Sequence, residues 1–249
     1  MESLYIWKQA EEIGFRIDEN FNFEKYVNCN QINQVKAILN YYLNRRGTKI
    51  AQFILHRVFD VIPYFPMLEV EKLTLWGDQK VGNLFLSSQL KELKIYGKVF
   101  YDLFKFGQIL NSETVTIMFP SPEVKMMAIQ KFSNTKRLVF SANQIISDGC
   151  FLPQEILEFA MQNRAIGSIL DYNVEDYFNF KNYPHVGSLV SCLNARFTRL
   201  PERKCITVPM QDAELNCFII PANELKYKNT TWILRLEVME KGTAKERKK

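Results

Sequence analysis

The clearest pattern in the chain is a recurring triplet of apolar positions, spaced apolar-x-x-apolar-x-apolar. It reads Ile50/Phe53/Leu55, then Val70/Leu73/Leu75, then Leu90/Leu93/Ile95. Two partial copies with polar first positions follow, Ser112/Val115/Ile117 and Thr135/Leu138/Phe140. The middle positions step by 20, 20, 22 and 23 residues. Two copies are nearly the same phrase, VEKLTLWGD at 70–78 and LKELKIYGK at 90–98. Alternation within each copy predicts a short strand. Between copies, VFYDLFKFGQIL (99–110) and PEVKMMAIQKF (122–132) carry helical apolar faces, and Ser121-Pro122 reads as a cap followed by an N1 proline. Units this short cannot bury both of their sides alone, but stacked units can. The expected fold is α/β: an irregular leucine-rich-repeat-like arc of short parallel strands and helices, with C-terminal closing strands. Gly77 and Gly97 would let the chain turn out of its strands. The arc is irregular because a regular repeat places Asn three residues past the last strand leucine. Here those positions are Val58, Asp78, Lys98, Pro120 and Asn143.

Outside the repeats, Leu4, Ile6, Trp7, Ala10 and Ile13 fit helical spacing, and 16–30 reads as a connection. A clearer helix follows, with Ile32, Val35, Ile38, Leu39, Tyr42 and Leu43 on one face, Arg45 and Arg46 in its last turn and Gly47 beyond it. A turn at Asp148-Gly149 precedes a predicted helix from Pro153 to about Asn163, and Ile169-Leu170 opens a strand. Residues 186–197 read as a helix. CITVPM, NCFIIPANEL and TTWILRLEVM read as closing strands.

Composition narrows the function classes. The chain has 249 residues, 47% hydrophobic and 24% charged, with nineteen Phe and eleven Tyr against ten Gly, a balance of packed elements. Of the net charge of +5, four units sit in the last nine residues, KGTAKERKK, so the body is nearly neutral. That disfavours nucleic acid as a partner. Residues 1–240 are expected as a single α/β repeat-like domain and 241–249 as a basic disordered tail. The five cysteines include no C-x-x-C spacing and suit reduced, buried thiols. No secretion signal or membrane-length apolar run is seen, so a cytoplasmic or nuclear location is expected.

No motif names a reaction. Neither a nucleotide-phosphate cradle nor a metal-ligand spacing is present, and no cofactor is expected. His56 reads as a surface residue after the first repeat strand, and His185 as a loop residue. Cys150, after Asp148-Gly149, is the one candidate thiol nucleophile, with His185 as its base; a small buried hydrophobe is the commoner role. Two alternatives to a binding role therefore stand: a thiol-dependent hydrolase centred on Cys150, and a nucleic-acid-associated protein using the basic tail.

The strongest candidate surface follows from strand alternation. If Leu73 and Leu75 point inward, Lys72, Thr74 and Trp76 point outward. Neighbouring strands add Glu92, Lys94 and Tyr96, then Thr114, Thr116 and Met118, then Arg137, Val139 and Ser141. The expected partner-binding set is Lys72, Thr74, Trp76, Glu92, Lys94, Tyr96, Thr116, Met118 and Arg137. Aromatics and Met with Arg nearby are the composition of protein interfaces.

These segments resemble a known family. LNYYLNRRGTKIAQFIL, VEKLTLWG, LKELKIYG, TKRLVFSAN and ISDGCFLPQEILEFAMQN, with the closing ITVPM and TTWILRLEV, are similar to the F-box-associated domains expanded in nematodes. The likeness spans about residues 30 to 237. It implies a non-enzymatic module that recognises protein targets for a cullin-type ubiquitin ligase. The family's F-box, which docks a Skp-type adaptor, is not evident. An adaptor would be a partner only through an F-box outside this chain.

Overall fold

The computed structural model describes residues 3–9, 12–18, 22–28, 31–43, 49–56, 69–76, 89–97, 107–141, 152–174, 191, 193–222 and 232–246. Its described residues are mixed α/β, with more strand than helix. Its contacts divide into two compact units, Met1–Met118 and Phe119–Lys249.

The first unit holds β1 (Ser3–Gln9), β2 (Glu12–Asp18), β3 (Asn22–Asn28), α1 (Ile32–Leu43), β4 (Lys49–His56), β5 (Glu69–Trp76), β6 (Glu92–Tyr96), α2 (Gly107–Leu110) and β7 (Thr114–Met118). Its strands run in the order β7-β6-β5-β4-β1-β2-β3. The strands β4 to β7 are parallel, β1 joins β4 in parallel, and β1-β2-β3 is an antiparallel meander. The triplet spacing read from the sequence is the register of this sheet. Phe53, Leu73, Leu93 and Val115 are successive cross-strand partners, as are Leu55, Leu75, Ile95 and Ile117. All eight are at most 1% exposed. Each such side chain contributes roughly 1.5–3 kcal/mol of hydrophobic stabilisation as an upper bound. Ser112, a polar first position, is also buried, and its hydroxyl donates to the Ile109 carbonyl at 2.6 Å. Gly97 has a φ of 95°, the left-handed conformation that lets the chain leave β6.

The N-terminus departs from expectation. Residues predicted as a short helix and a connection form β1, β2 and β3 instead. Leu4, Ile6, Ile13 and Val27 are buried beside the repeat core. The alternation was hidden because the outward positions of β1, Tyr5 and Trp7, are aromatic and so as apolar as the inward Leu4 and Ile6.

The second unit holds α3 (Pro122–Lys131), β8 (Arg137–Ser141), α4 (Leu152–Met161), β9 (Ile169–Val174), β10 (Arg196–Leu200), β11 (Arg203–Pro209), β12 (Ala213–Pro221), β13 (Trp232–Glu240) and β14 (Lys245–Glu246). Its strand order is β14-β10-β11-β12-β13-β9-β8. Only β8 and β9 pair in parallel; the other pairs are antiparallel closing strands. Ser121 caps α3, accepting from the Val124 amide at 3.4 Å, with Pro122 following as read. The other end of α3 is held from a distance. Arg164, 5% exposed, donates to the carbonyls of Ile129 at 2.6 Å and Phe132 at 3.1 Å, and lies over the Phe159 ring. Burial lowers its pKa to about 10.

Two further expectations meet a different outcome here. Arg196 and Phe197, placed at the end of a predicted helix over 186–197, instead open strand β10. Residues 241–246, expected in a disordered tail, form a turn and then β14, which pairs with β10. The cause is Glu214 on β12. Its carboxylate accepts the amides of Gly242 at 3.0 Å and Ala244 at 2.7 Å. Gly77, Val58, Asp78, Lys98 and Asn143 lie outside the described residues.

Candidate interaction surface

Cross-strand registration in the first unit does more than align a core. Taking one residue from each strand, Tyr26, Gly14, Trp7, His56, Trp76, Tyr96 and Met118 are successive partners from β3 to β7. They form a single row on the face opposite the aliphatic core. The rings touch along it. Trp76 and Tyr96 stack at 4.2 Å with 19° between planes, and His56 meets Trp76 edge-on at 5.6 Å. Tyr26 meets Trp7 edge-on at 5.6 Å, and Tyr5 stacks on Trp7 at 4.9 Å. Such pairs each add about 0.5–1.5 kcal/mol beyond area burial. The row therefore arrives preorganised.

The one gap in it is filled. At Gly14 an added Cβ would sit 2.2 Å from Trp7 Cε2. The indole of Trp7 lies over the glycine of the neighbouring strand, which only a residue without Cβ permits. Trp76 is 41% exposed and Tyr26 52%.

The charges beside the row compensate one another. Lys94 pairs with Glu92 at 2.8 Å and Lys72 with the same carboxylate at 3.6 Å. Tyr26 donates to Glu24 at 2.6 Å, the first cause of the rise in its own pKa. The surface is aromatic and locally neutral.

The structure brings together Lys72, Trp76, Glu92, Lys94, Tyr96, Thr116 and Met118 on this face, as the alternation implied. Thr74 shares the face but is only 6% exposed, so it offers little to a partner. Arg137 belongs to the second unit, and its guanidinium is committed. It donates to Asp171 through Nε at 3.0 Å and Nη2 at 2.6 Å, and Arg235 holds the same carboxylate at 2.8 and 2.9 Å. Asp171 is fully buried. Sequence reasoning missed Tyr5, Trp7 and Tyr26; the signal was the period-two alternation of SLYIWKQ, in which both faces are apolar.

Cys150 and His185 lie outside the described residues. Cys205 and Cys217 are free and buried, and burial raises the Cys217 thiol far above its usual range. The described residues contain no cluster of His, Cys, Asp and Glu able to hold a metal, and no helix long and apolar enough to cross a membrane. A second buried acid is structural in its setting: Glu155 on α4 accepts from Tyr172 at 2.5 Å, with the Lys125 ammonium at 3.7 Å. Compared with family models, curated proteins and solved structures, the chain matches none.

Proposed function

We propose that the first unit is a protein-docking module whose working face is the aromatic row, within an irregular leucine-rich-repeat-like arc. The observation that carries the reading is the row itself: seven strands each contribute one residue to a continuous cross-strand line, along which Tyr26 meets Trp7 and His56, Trp76 and Tyr96 meet in turn. Rigid aromatic anchors that lose little entropy on binding are what protein interfaces concentrate. The mutual stacking of Trp76 and Tyr96 also favours a protein over a nucleic acid, because bases stack on open ring faces and these rings face each other. By its resemblance to F-box-associated domains, the module would select targets for a cullin-type ubiquitin ligase in the cytoplasm or nucleus, without catalysing a reaction itself.

The test is capture of partners from native extract by the tagged chain, beside Trp76→Ala/Tyr96→Ala, with circular dichroism confirming that the variant folds. The expected result is a specific protein retained by the parent and lost by the variant, with ubiquitin-ligase subunits recovered alongside. Equal recovery by a folded double variant would sink the reading.

A further inference from the structure

The second unit carries a separate feature, a row of like charges. Lys245 on β14 is the direct partner of Arg199 on β10, and Arg199 is the direct partner of Lys204 on β11. Residues directly opposite share a face, about 5 Å apart, and like charges there repel. None of the three has a carboxylate partner among the described residues. The nearby Glu246 is on the opposite face, since it partners Thr198, and it is already held by Arg196 at 3.0 Å. Arg203 also points to that other face, toward the Phe218 ring at 5.8 Å.

These three cations line a cleft of about 800 Å³ together with Leu200, Pro201, Thr243, Arg203 and the two acids Glu202 and Glu246, so that its lining carries four cations against two carboxylates. The size falls in the range of ligand sites. The cleft opens beside β14, which ends the strand order. A lysine at a sheet edge also discourages stray pairing. That role accounts for Lys245 alone, and leaves Arg199 and Lys204 unexplained.

We infer that this cleft binds an acidic peptide segment, extended along β14, whose carboxylates neutralise the Lys245–Arg199–Lys204 row. A peptide fits better than a nucleic acid for two reasons. Among the described residues β14 ends the strand order, and a peptide laid along it can add main-chain pairing that a nucleic acid cannot. The cationic row is short, and the body of the chain is nearly neutral outside its last nine residues. Phe197, 45% exposed and one step along the same face, gives an apolar side chain of the peptide a place to rest.

The test is fluorescence polarisation of a labelled oligoglutamate with the full chain, at about 50 and 200 mM salt. A neutral Gly-Ser peptide and a labelled oligouridylate serve as comparisons. Arg199→Gln/Lys204→Gln/Lys245→Gln should weaken oligoglutamate binding by about tenfold or more. Its melting temperature should not fall, because the substitution also relieves repulsion. Arg247→Gln/Lys248→Gln/Lys249→Gln should bind as the parent does. Lys245→Glu, a single reversal, should lower affinity and raise thermal stability together. The inference is overturned if oligoglutamate binds no better than Gly-Ser, if the triple variant binds unchanged, or if the tail variant abolishes binding. Tighter, row-dependent binding of oligouridylate would overturn it in favour of a nucleic acid.

Discussion

Truncating Asp171 to Ala is the sharpest available probe of the second unit. The carboxylate is fully buried and accepts four hydrogen bonds, two from Arg137 and two from Arg235. Removing it takes a shared, buried carboxylate from two guanidinium groups. The Arg235 side chain is 13% exposed and reaches water poorly; that of Arg137, at 26%, reaches it better. Leaving one buried partner uncompensated costs about 3–5 kcal/mol in general, and partial rehydration of Arg137 places Asp171→Ala at about 3–4. The single arginine truncations should rank below it. Arg235→Ala should cost about 2–3 kcal/mol and Arg137→Ala about 1–2, because Arg235 spans both carboxylate oxygens whereas Arg137 reaches Oδ2 alone, and they differ in access to water. Asp171→Asn should rescue little, since its amide group presents donors to donors. The assay is urea unfolding, with hydrogen exchange at β9 and β13 to place the loss in this sheet. A cost under about 1 kcal/mol for Asp171→Ala, or one no larger than that of Arg137→Ala, would mean that the carboxylate is solvated and the reasoning wrong.

Gly14→Val should destabilise the first unit by about 1–3 kcal/mol by displacing the Trp7 indole, and Gly14→Val with Trp7→Ala should cost less than the sum of the two single changes in a double-mutant cycle. Glu237 supplies a pH signature. Burial is the first cause of its raised pKa, Arg235 opposes, and the Asp171 charge adds to the rise. The folded state therefore holds this proton more tightly than the unfolded chain does. Its contribution is greatest in acid and is lost as pH rises through the folded value. Glu237→Gln should consequently be more stable than the parent at neutral pH, with the gain gone below about pH 4 in thermal melts. A gain that persisted in acid would refute the assignment.

The triplet was legible because its physics is local and periodic. Inward aliphatics repeat every second residue, and connections of nearly constant length bring them to the same height. That spacing alone anticipated the partners Phe53, Leu73, Leu93 and Val115. It also assigned Trp76, Tyr96 and Met118 to one line, which extends through His56, Trp7 and Tyr26. The N-terminal strands were not legible, because outward Tyr5 and Trp7 are as apolar as inward Leu4 and Ile6. Alternation in hydropathy then vanishes, although alternation in facing remains. Order in 241–246 was invisible for another reason: the acceptor for Gly242 and Ala244 is Glu214, about thirty positions earlier in the chain. Arg137 shows the same limit. Its place in a strand was legible, but its commitment to Asp171 depends on a residue 34 positions away.

The interleaving of core and surface in β4 to β7 has a consequence for how such a chain can change. The interval between triplets in β4 to β7 already varies from 20 to 22 residues without shifting the register, so connections absorb length. A one-residue insertion inside a strand is different: it would bring Lys72 and Thr74 to the core positions of Leu73 and Leu75. Substitution at outward positions disturbs neither. Descendants of this chain are therefore free to rewrite what the face reads, letter by letter, while the letters between hold the same scaffold.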